Sequence, residues 1–270
     1  MKTLKNTIIL YDADCPACDL YTKGFVKSGM LDENGRVPFQ MIDEEMGLKI
    51  DRKRACNEIA LINMENHNVL YGTESLLEII GNNFPWIKKT FQWTPLSWLL
   101  KKLYAFISYN RKVIVPGKAI KHPYDCIPDF NINYRVAYIL LVWVMTAIVL
   151  NRYSITLAPL IPPSTLVREL AICGGQILFQ WLYLNFRGER NITHYLGNMM
   201  TVSLMGAILL LPAFMFSFLG ANSNVHILWF MAVVGLMFLE HMRRVKIIGI
   251  HWTASISWVF YRLLILLIIL

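Results

Sequence analysis

The apolar residues follow one pattern in the first half of the chain and another in the second half. In residues 1–130 short apolar runs alternate with polar stretches, whereas residues 134–270 consist mostly of long apolar runs. The first half therefore predicts a soluble domain and the second a membrane domain. The predicted elements of the soluble half are a strand (7–11), a helix (15–28), a strand (37–42), a helix (44–54), a hairpin (58–64 and 68–71) and a helix (73–80).

The long apolar runs predict an all-α transmembrane bundle of about five spans. A span needs about 20 apolar residues, and the region from 191 to 239, which lacks Asp, Glu, Lys and Arg, is long enough for two. The predicted spans are 136–150, 170–186, two segments of 191–239 that separate at 220–224, and a last segment from 250 to 270. We expect three regions: a domain at 1–90, a juxtamembrane segment at 91–132 and the bundle at 133–270.

The excess of basic residues predicts the orientation of the bundle. The net charge is +8, and the basic residues cluster before span one, between spans two and three, and between spans four and five. Under the positive-inside rule, this bias places the N-terminal domain in the cytosol and the C-terminus outside a cell (inner) membrane that the chain crosses several times. The apolar run at 8–10 is too short for a signal peptide. The charge indicates contact with the lipid bilayer and requires no nucleic-acid partner.

Two cysteines follow the first predicted strand. In the run Asp12-Ala13-Asp14-Cys15-Pro16-Ala17-Cys18, both thiols lie at the start of the first helix, where free N–H groups and the helix dipole stabilise a thiolate. This position favours redox chemistry. The alternative is a structural zinc site, which needs two more Cys or His ligands. The chain contains no second Cys-x-x-Cys motif, so we expect no metal there.

The chemistry of dithiols suggests a role for each residue of the motif. Cys15 is the expected nucleophile, and Cys18, one turn later, would resolve the mixed disulfide. Asp12 either accepts a proton when Cys18 attacks or only caps the turn or the helix. Pro16 presets the first helical turn and is a candidate auxiliary residue that tunes the redox potential.

The order βαβαββα, with Cys-x-x-Cys at the start of the first helix, is the layout of an α+β thioredoxin-like domain. Residues 11–18 also resemble the signature of the DCC family of thiol-disulfide oxidoreductases, named for an Asp and two Cys that match Asp12, Cys15 and Cys18. The resemblance spans residues 7–128 and includes 70–75, 104–111 and 125–128. It implies a thioredoxin-like fold and a redox-active dithiol, and it does not supply a substrate.

Two further cysteines of this half are candidate auxiliary residues. Cys56-Asn57-Glu58 stands where thioredoxins usually carry a cis-proline before the third strand. Cys56 is therefore either a third thiol near the pair or a small buried hydrophobic side chain. The match of Cys126 to the family pattern implies a structural or redox-partner role. Ala13 also departs from the Gly that the family pattern has at this position.

The segment at 93–108 predicts an amphipathic helix. One of its sides is apolar and aromatic, and the other carries Lys101 and Lys102. Such a helix either packs on the thioredoxin-like core or lies on the bilayer surface.

Polar side chains share helical faces inside the predicted bundle. Spacings of i, i+4, i+7 and i+11 on span two predict one polar face, which points towards protein or a wet cavity. We expect Arg262, deep in the last span, to pair with Glu169. The histidines are either hydrogen-bonded to backbone or lipid headgroups, or part of a metal, haem or quinone site. The membrane polar site comprises Glu169, Cys173, Gln176, Gln180, His194, Asn198, His241 and Arg262.

Two classes of function follow. The first is a membrane-tethered thiol-disulfide oxidoreductase that exchanges its dithiol with protein thiols and disulfides on the cytosolic face and requires no cofactor. The second is a membrane protein that binds a ligand or a membrane-protein partner through its bundle. In that case the thioredoxin-like domain serves recognition or redox sensing.

Overall fold

The computed structural model describes residues 2–42, 47, 50–91, 93–117, 129–157 and 162–269. These residues form two compact units, Met1–Tyr134 and Arg135–Leu270. The strands of the first unit are β1 (Thr7–Tyr11), β2 (Arg36–Pro38), β3 (Ala60–Asn63) and β4 (Val69–Tyr71). Its helices are α1 (Pro16–Lys27), α2 (Arg52–Asn57), α3 (Thr73–Asn83), α4 (Pro85–Phe91) and α5 (Thr94–Ile114).

The four strands form one mixed sheet in the order β2-β1-β3-β4. β1 runs parallel to β2, with Leu10 opposite Val37, and antiparallel to β3, with Ile9 opposite Leu61. β3 and β4 form an antiparallel hairpin. The parallel pair needs a crossover, which α1 supplies. The predicted thioredoxin-like α+β class is confirmed.

Alternation along the strands builds a core on each face of the sheet. Ile9 and Leu61 pack with Ile79 of α3 on one face. Their neighbours Leu10 and Ile62 pack on the opposite face. Successive strand residues point to opposite faces, so this apolar run of β1 is buried on both sides and fixes the register of the central strand.

Some predicted boundaries of the first unit differ from the structure. The second strand ends at Pro38, which has no N–H to continue the ladder, and Phe39–Met41 forms a 3₁₀ turn. Most of the predicted helix at 44–54 lies outside the described residues, and α2 begins only after Asp51, whose carboxylate caps Arg54 N–H. α3 continues past Gly81 to Asn83. The missing side chain of Gly81 lets the Lys88 side chain of α4 approach closely.

Helix α5 packs one of its faces on the α/β core. The Tyr104 ring joins the core cluster of Ile9 and Leu61, and its hydroxyl accepts the Ile59 N–H at 2.9 Å. The Ser108 hydroxyl donates to the Asn57 carbonyl. Apolar side chains on the rest of the helix are exposed, namely Trp98, Leu99, Leu103 and Ile107. The prediction that this helix packs on the thioredoxin-like core therefore applies to only one side of it.

The second half of the chain is helical throughout its described elements. They are α6 (Ile132–Thr156), α7 (Leu166–Phe186), α8 (Ile192–Leu210), α9 (Pro212–Phe218), α10 (Ser223–Ile247) and α11 (Thr253–Ile269). Three described segments are long and apolar enough to cross a membrane, namely Ile132–Thr156, Ile192–Met215 and Ser223–Ile247. Thr253–Ile268 is a shorter apolar helix. The membrane crossings of α7 and α11, the other two predicted spans, stay predictions.

Three basic residues expected in a loop lie inside a helix. Arg243, Arg244 and Lys246 belong to the last two turns of α10. Arg244 is buried, with Nε donating to Glu240 Oε1 at 2.7 Å and Nη1 donating to Asn198 Oδ1 at 3.0 Å. The pairing with Glu240, one turn earlier, lets α10 extend through this charged segment.

We predict that Tyr104→Phe frees the Ile59 N–H, because the lost hydroxyl is its acceptor. Leaving a buried donor unsatisfied costs about 1–3 kcal/mol, so the amide hydrogen of Ile59 should exchange markedly faster in the full-length protein. Mass-spectrometric hydrogen exchange measures this rate. Tyr71→Phe is the matched control, since the Tyr71 hydroxyl accepts the Asp51 N–H at an exposed position. Unchanged exchange at Ile59 would show that the Tyr104 hydroxyl of α5 does not protect this amide, which directly precedes β3.

Candidate functional site

The Cys15–Cys18 pair lies where β1 meets α1. Cys15 is the N-cap of α1, and its Sγ accepts the Cys18 N–H at 3.4 Å. Pro16 occupies the first helical turn, where a missing N–H costs nothing. The Cys15 N–H donates to the Asp12 carbonyl at 3.1 Å, which closes the loop between strand and helix.

Both sulfurs are thiols, and both side chains are buried, Cys15 with 3% and Cys18 with 7% of its surface exposed. Hydrogen bonds from the Cys18 side chain and backbone, together with the positive charge of Arg111, lower the pKa of Cys15 to about 7 against the opposing effects of burial and Asp12. The interaction with Cys15 and burial raise the pKa of Cys18. Of the two thiols, Cys15 is therefore the one that ionises near neutral pH.

Asp12 connects the cysteine loop to two distant parts of the first unit. Its Oδ1 accepts the Asp14 N–H and the Gln40 side-chain N–H, both at 3.0 Å. Its Oδ2 forms an ion pair with Arg111 Nη2 at 3.1 Å, and the carboxylate is almost fully buried. Arg111 also donates to the Cys56 carbonyl at 2.8 Å. The structure thus shows Asp12 capping the turn and pairing with a cation.

Sequence reasoning did not assign Arg111 or Gln40 to the site. Arg111 ends the segment 104–111 that resembles the DCC family, and that resemblance was the only signal for it. Gln40 carries no signal in the sequence, yet its Oε1 accepts the Ala13 N–H at 3.1 Å while its amide donates to Asp12. Gln40 therefore contacts the cysteine loop at two points, the Ala13 backbone and the Asp12 carboxylate.

The auxiliary cysteines are placed differently from the pair. Cys56 is partly buried and packs against the core cluster that contains Leu10 and Phe39. Cys126 lies outside the described residues. Among the predicted residues of the first unit, the structure brings together Asp12, Cys15, Pro16 and Cys18.

A pocket of about 330 Å³ opens beside the two thiols. Asp12 and Arg111 supply charge at the cysteine end, and the rest of the wall is mainly apolar and aromatic. The apolar wall includes Tyr21, Phe25, Ile59, Leu76, Ile80 and Ile107. The buried thiol of Cys15 is therefore reached through an apolar entrance.

The structure brings part of the predicted membrane polar site together. The Tyr195 hydroxyl links Gln180 Oε1 and His241 Nε2, both at 3.0 Å. Asn198 instead bonds Arg244, and its amide donates to the His194 carbonyl at 3.0 Å. Cys173 and Gln176 lie on the same helix as Gln180, two turns and one turn earlier respectively.

The predicted ion pair between Glu169 and Arg262 is wrong. Glu169 accepts from the Ser164 hydroxyl and lies 3.6 Å from Arg168, so nearby residues satisfy its carboxylate. Arg262 stacks on Trp258, one turn earlier in α11, with Cζ 4.0 Å from the ring centroid. Within the described part of the chain, no group of three or more His, Cys, Asp or Glu side chains has the geometry to hold a metal ion.

The fold and the dithiol together define a thioredoxin-like redox domain. Comparison with protein families refines this class, because residues 9–115 match the model described as DCC1-like thiol-disulfide oxidoreductase. This segment of the chain is therefore similar to that family. No curated protein and no solved structure matches the chain.

We predict that Cys15 alkylates faster than Cys18, Cys56 or Cys173 at neutral pH. Because its pKa is lowered to about 7, its rate should be half-maximal near that pH, fall as protonation removes the thiolate at lower pH, and level off at higher pH. Iodoacetamide labelling of the reduced protein, followed by peptide mass spectrometry, gives each rate. A Cys15 profile centred on the ordinary thiol pKa would contradict the site geometry.

Proposed function

We propose that this protein is a membrane-tethered thiol-disulfide oxidoreductase with Cys15 as nucleophile and Cys18 as resolving thiol. The observation that carries the proposal is the pairing of opposite pKa shifts in one motif, lowered at Cys15 and raised at Cys18. A thiolate is the attacking species in disulfide exchange. Residues 9–115 match the model of a thiol-disulfide oxidoreductase family, and this match supports the same chemistry.

The reaction consists of two exchanges. The Cys15 thiolate attacks a substrate disulfide, so that one S–S bond forms with Cys15 while the substrate bond breaks and releases a thiolate. Cys18 then gives up its proton to the released substrate thiolate and attacks the Cys15 sulfur. The mixed disulfide breaks, and the second substrate sulfur leaves as a thiolate that takes a proton from water. The products are a Cys15–Cys18 disulfide and a substrate with two thiols, so that two electrons pass from the protein to the substrate. The reverse sequence oxidises the substrate.

We assign Arg111 and Asp12 to positioning and electrostatics. Arg111 stabilises the Cys15 thiolate, and Asp12 holds the guanidinium beside it through a buried ion pair. Three donors already engage the Asp12 oxygens. Acceptance of the Cys18 proton by Asp12 would remove the negative charge that pairs with Arg111, so we favour its positioning role.

The proposed cellular setting follows from charge and hydropathy. The apolar helices of the second half support a membrane tether, and the bias of basic residues supports a cytosolic N-terminal domain. The cytosol keeps thiols reduced. In this compartment the dithiol would act as a reductase or a transient relay on protein disulfides.

We predict that Cys18→Ser accumulates mixed disulfides through Cys15, because the resolving attack is lost. The trapped partners should resist alkylation, release on reduction and be identified by mass spectrometry from cells that express the full chain. Cys15→Ser/Cys18→Ser is the matched control and should trap nothing. A trap that stays empty while purified Cys18→Ser still reacts with a model disulfide would argue against protein substrates.

We predict that a cysteine at position 27 labels only from the cytosolic side and one at position 224 only from outside. Both Lys27 and Asn224 are exposed, and each substitution is made in a variant without native cysteines. An impermeant maleimide is applied to intact cells and, separately, to lysed cells. Labelling of Lys27→Cys in intact cells would reverse the proposed orientation and place the dithiol in an oxidising compartment.

A further inference from the structure

Several buried polar atoms on α7 and α11 have no hydrogen-bond partner among the described residues of the second unit. Three hydrogen bonds join the two helices, from the Tyr261 hydroxyl to the Ile172 carbonyl at 2.8 Å, from the Ser257 hydroxyl to Gln180 Oε1 at 3.2 Å and from the Tyr183 hydroxyl to the Thr253 hydroxyl at 2.7 Å. Gln176 and Trp258 lie between the first two contacts, and Arg262 follows Tyr261. Nothing in the proposed dithiol chemistry uses these residues.

The Gln180 amide faces two hydroxyls. Its Oε1 accepts from Tyr195 at 3.0 Å and lies 3.2 Å from the Ser257 hydroxyl, which also donates to the Ala254 carbonyl at 3.0 Å. With Tyr195 donating there, His241 Nε2 donates to the Tyr195 oxygen at 3.0 Å and His241 Nδ1 accepts from Ser255 at 3.1 Å. In this arrangement Gln180 Nε2 is fully buried and has no acceptor.

Three more donors in the same segment lack a partner. They are Gln176 Nε2, Trp258 Nε1 and Arg262 Nε. The Gln176 and Trp258 side chains are more than nine-tenths buried. Gln176 Oε1 is also without a partner. Buried polar groups in folded proteins nearly always have a hydrogen-bond partner. Donors outnumber acceptors among these unpaired side-chain atoms of α7 and α11, so an acceptor from outside the chain would satisfy them.

The charge of Arg262 also calls for an anion. Its guanidinium lies over the Trp258 ring, and Cys173, Tyr261 and His241 are close enough to interact with its charge. None of these neighbours is a carboxylate, and Glu169 is engaged by Ser164 and Arg168. The Arg262 side chain is only partly exposed, and a partly desolvated cation without a counter-ion is costly.

We propose that the segment between α7 and α11 binds a carboxylate carried by a lipid-soluble molecule. A carboxylate accepts through two oxygens and pairs with an Arg fork, so it satisfies both the donors and the charge. The same two helices expose apolar side chains at Leu178, Leu182, Phe260 and Leu263, which suit the apolar tail of such a ligand. The site is independent of the Cys15–Cys18 chemistry.

The experiment uses the full chain in a neutral detergent, with dodecanoate as the probe and dodecan-1-ol as its uncharged counterpart. Thermal unfolding is followed as each probe is titrated. We expect dodecanoate to raise the unfolding temperature and dodecan-1-ol to leave it unchanged. Arg262→Met should weaken dodecanoate binding about tenfold or more, while Arg187→Met, at an exposed position after α7, should bind like the wild type.

Two further measurements keep the proposal testable. Ligand-free Arg262→Met should unfold at or above the wild-type temperature, because it loses an uncompensated charge, and Gln176→Leu should weaken dodecanoate binding without loss of the fold. Equal stabilisation by both probes, or undiminished dodecanoate binding by Arg262→Met, would overturn the proposal. A drop in the unfolding temperature of ligand-free Arg262→Met that exceeds the loss of its stacking on Trp258 would also overturn it, since the guanidinium would then have a counter-ion within the protein.

Discussion

The ion pair between Asp12 and Arg111 is the contact on which the candidate redox site depends. It joins the cysteine loop to α5, across 99 residues of sequence. Breaking such a buried pair is costly, because it leaves one charge uncompensated. The same guanidinium bonds the carbonyl of Cys56 before β3. One side chain therefore holds the loop, the third strand and the last helix of the first unit in a fixed relation, with its charge beside Cys15.

This arrangement explains how a buried thiol can still be reactive. Burial alone raises the pKa of a thiol, and Cys15 is almost fully buried. The hydrogen bonds from Cys18 and the charge of Arg111 outweigh that effect. The thiolate thus lines a pocket whose wall is mainly apolar. α5 contributes both a charge and part of that pocket wall.

The sequence was informative wherever local chemistry decides the structure. The β1 run, the helix start at Cys15 and Pro16, and the alternation of buried residues all follow from neighbours along the chain. The partner of Asp12 did not, because hydrophobic periodicity says nothing about which distant cation reaches a buried carboxylate. The predicted ion pair between Glu169 and Arg262 failed for the opposite reason, because each residue contacts partners only a few positions away. Glu169 contacts Ser164 and Arg168, and Arg262 contacts Trp258. The helix that continues past Gly81 shows that a glycine can serve close packing as well as termination.

The most direct test of the central claim is the reduction potential of the Cys15–Cys18 pair in the wild type, Arg111→Met and Lys102→Met. Arg111 stabilises the thiolate, and therefore the reduced form, so its removal should favour the disulfide. We expect Arg111→Met to lower the potential by tens of millivolts, on the order of 30 mV for a tenfold change in the equilibrium. Lys102 is exposed on the same helix, and Lys102→Met should leave the potential unchanged. A potential in Arg111→Met that is unchanged or higher would contradict the role assigned to the Asp12–Arg111 pair.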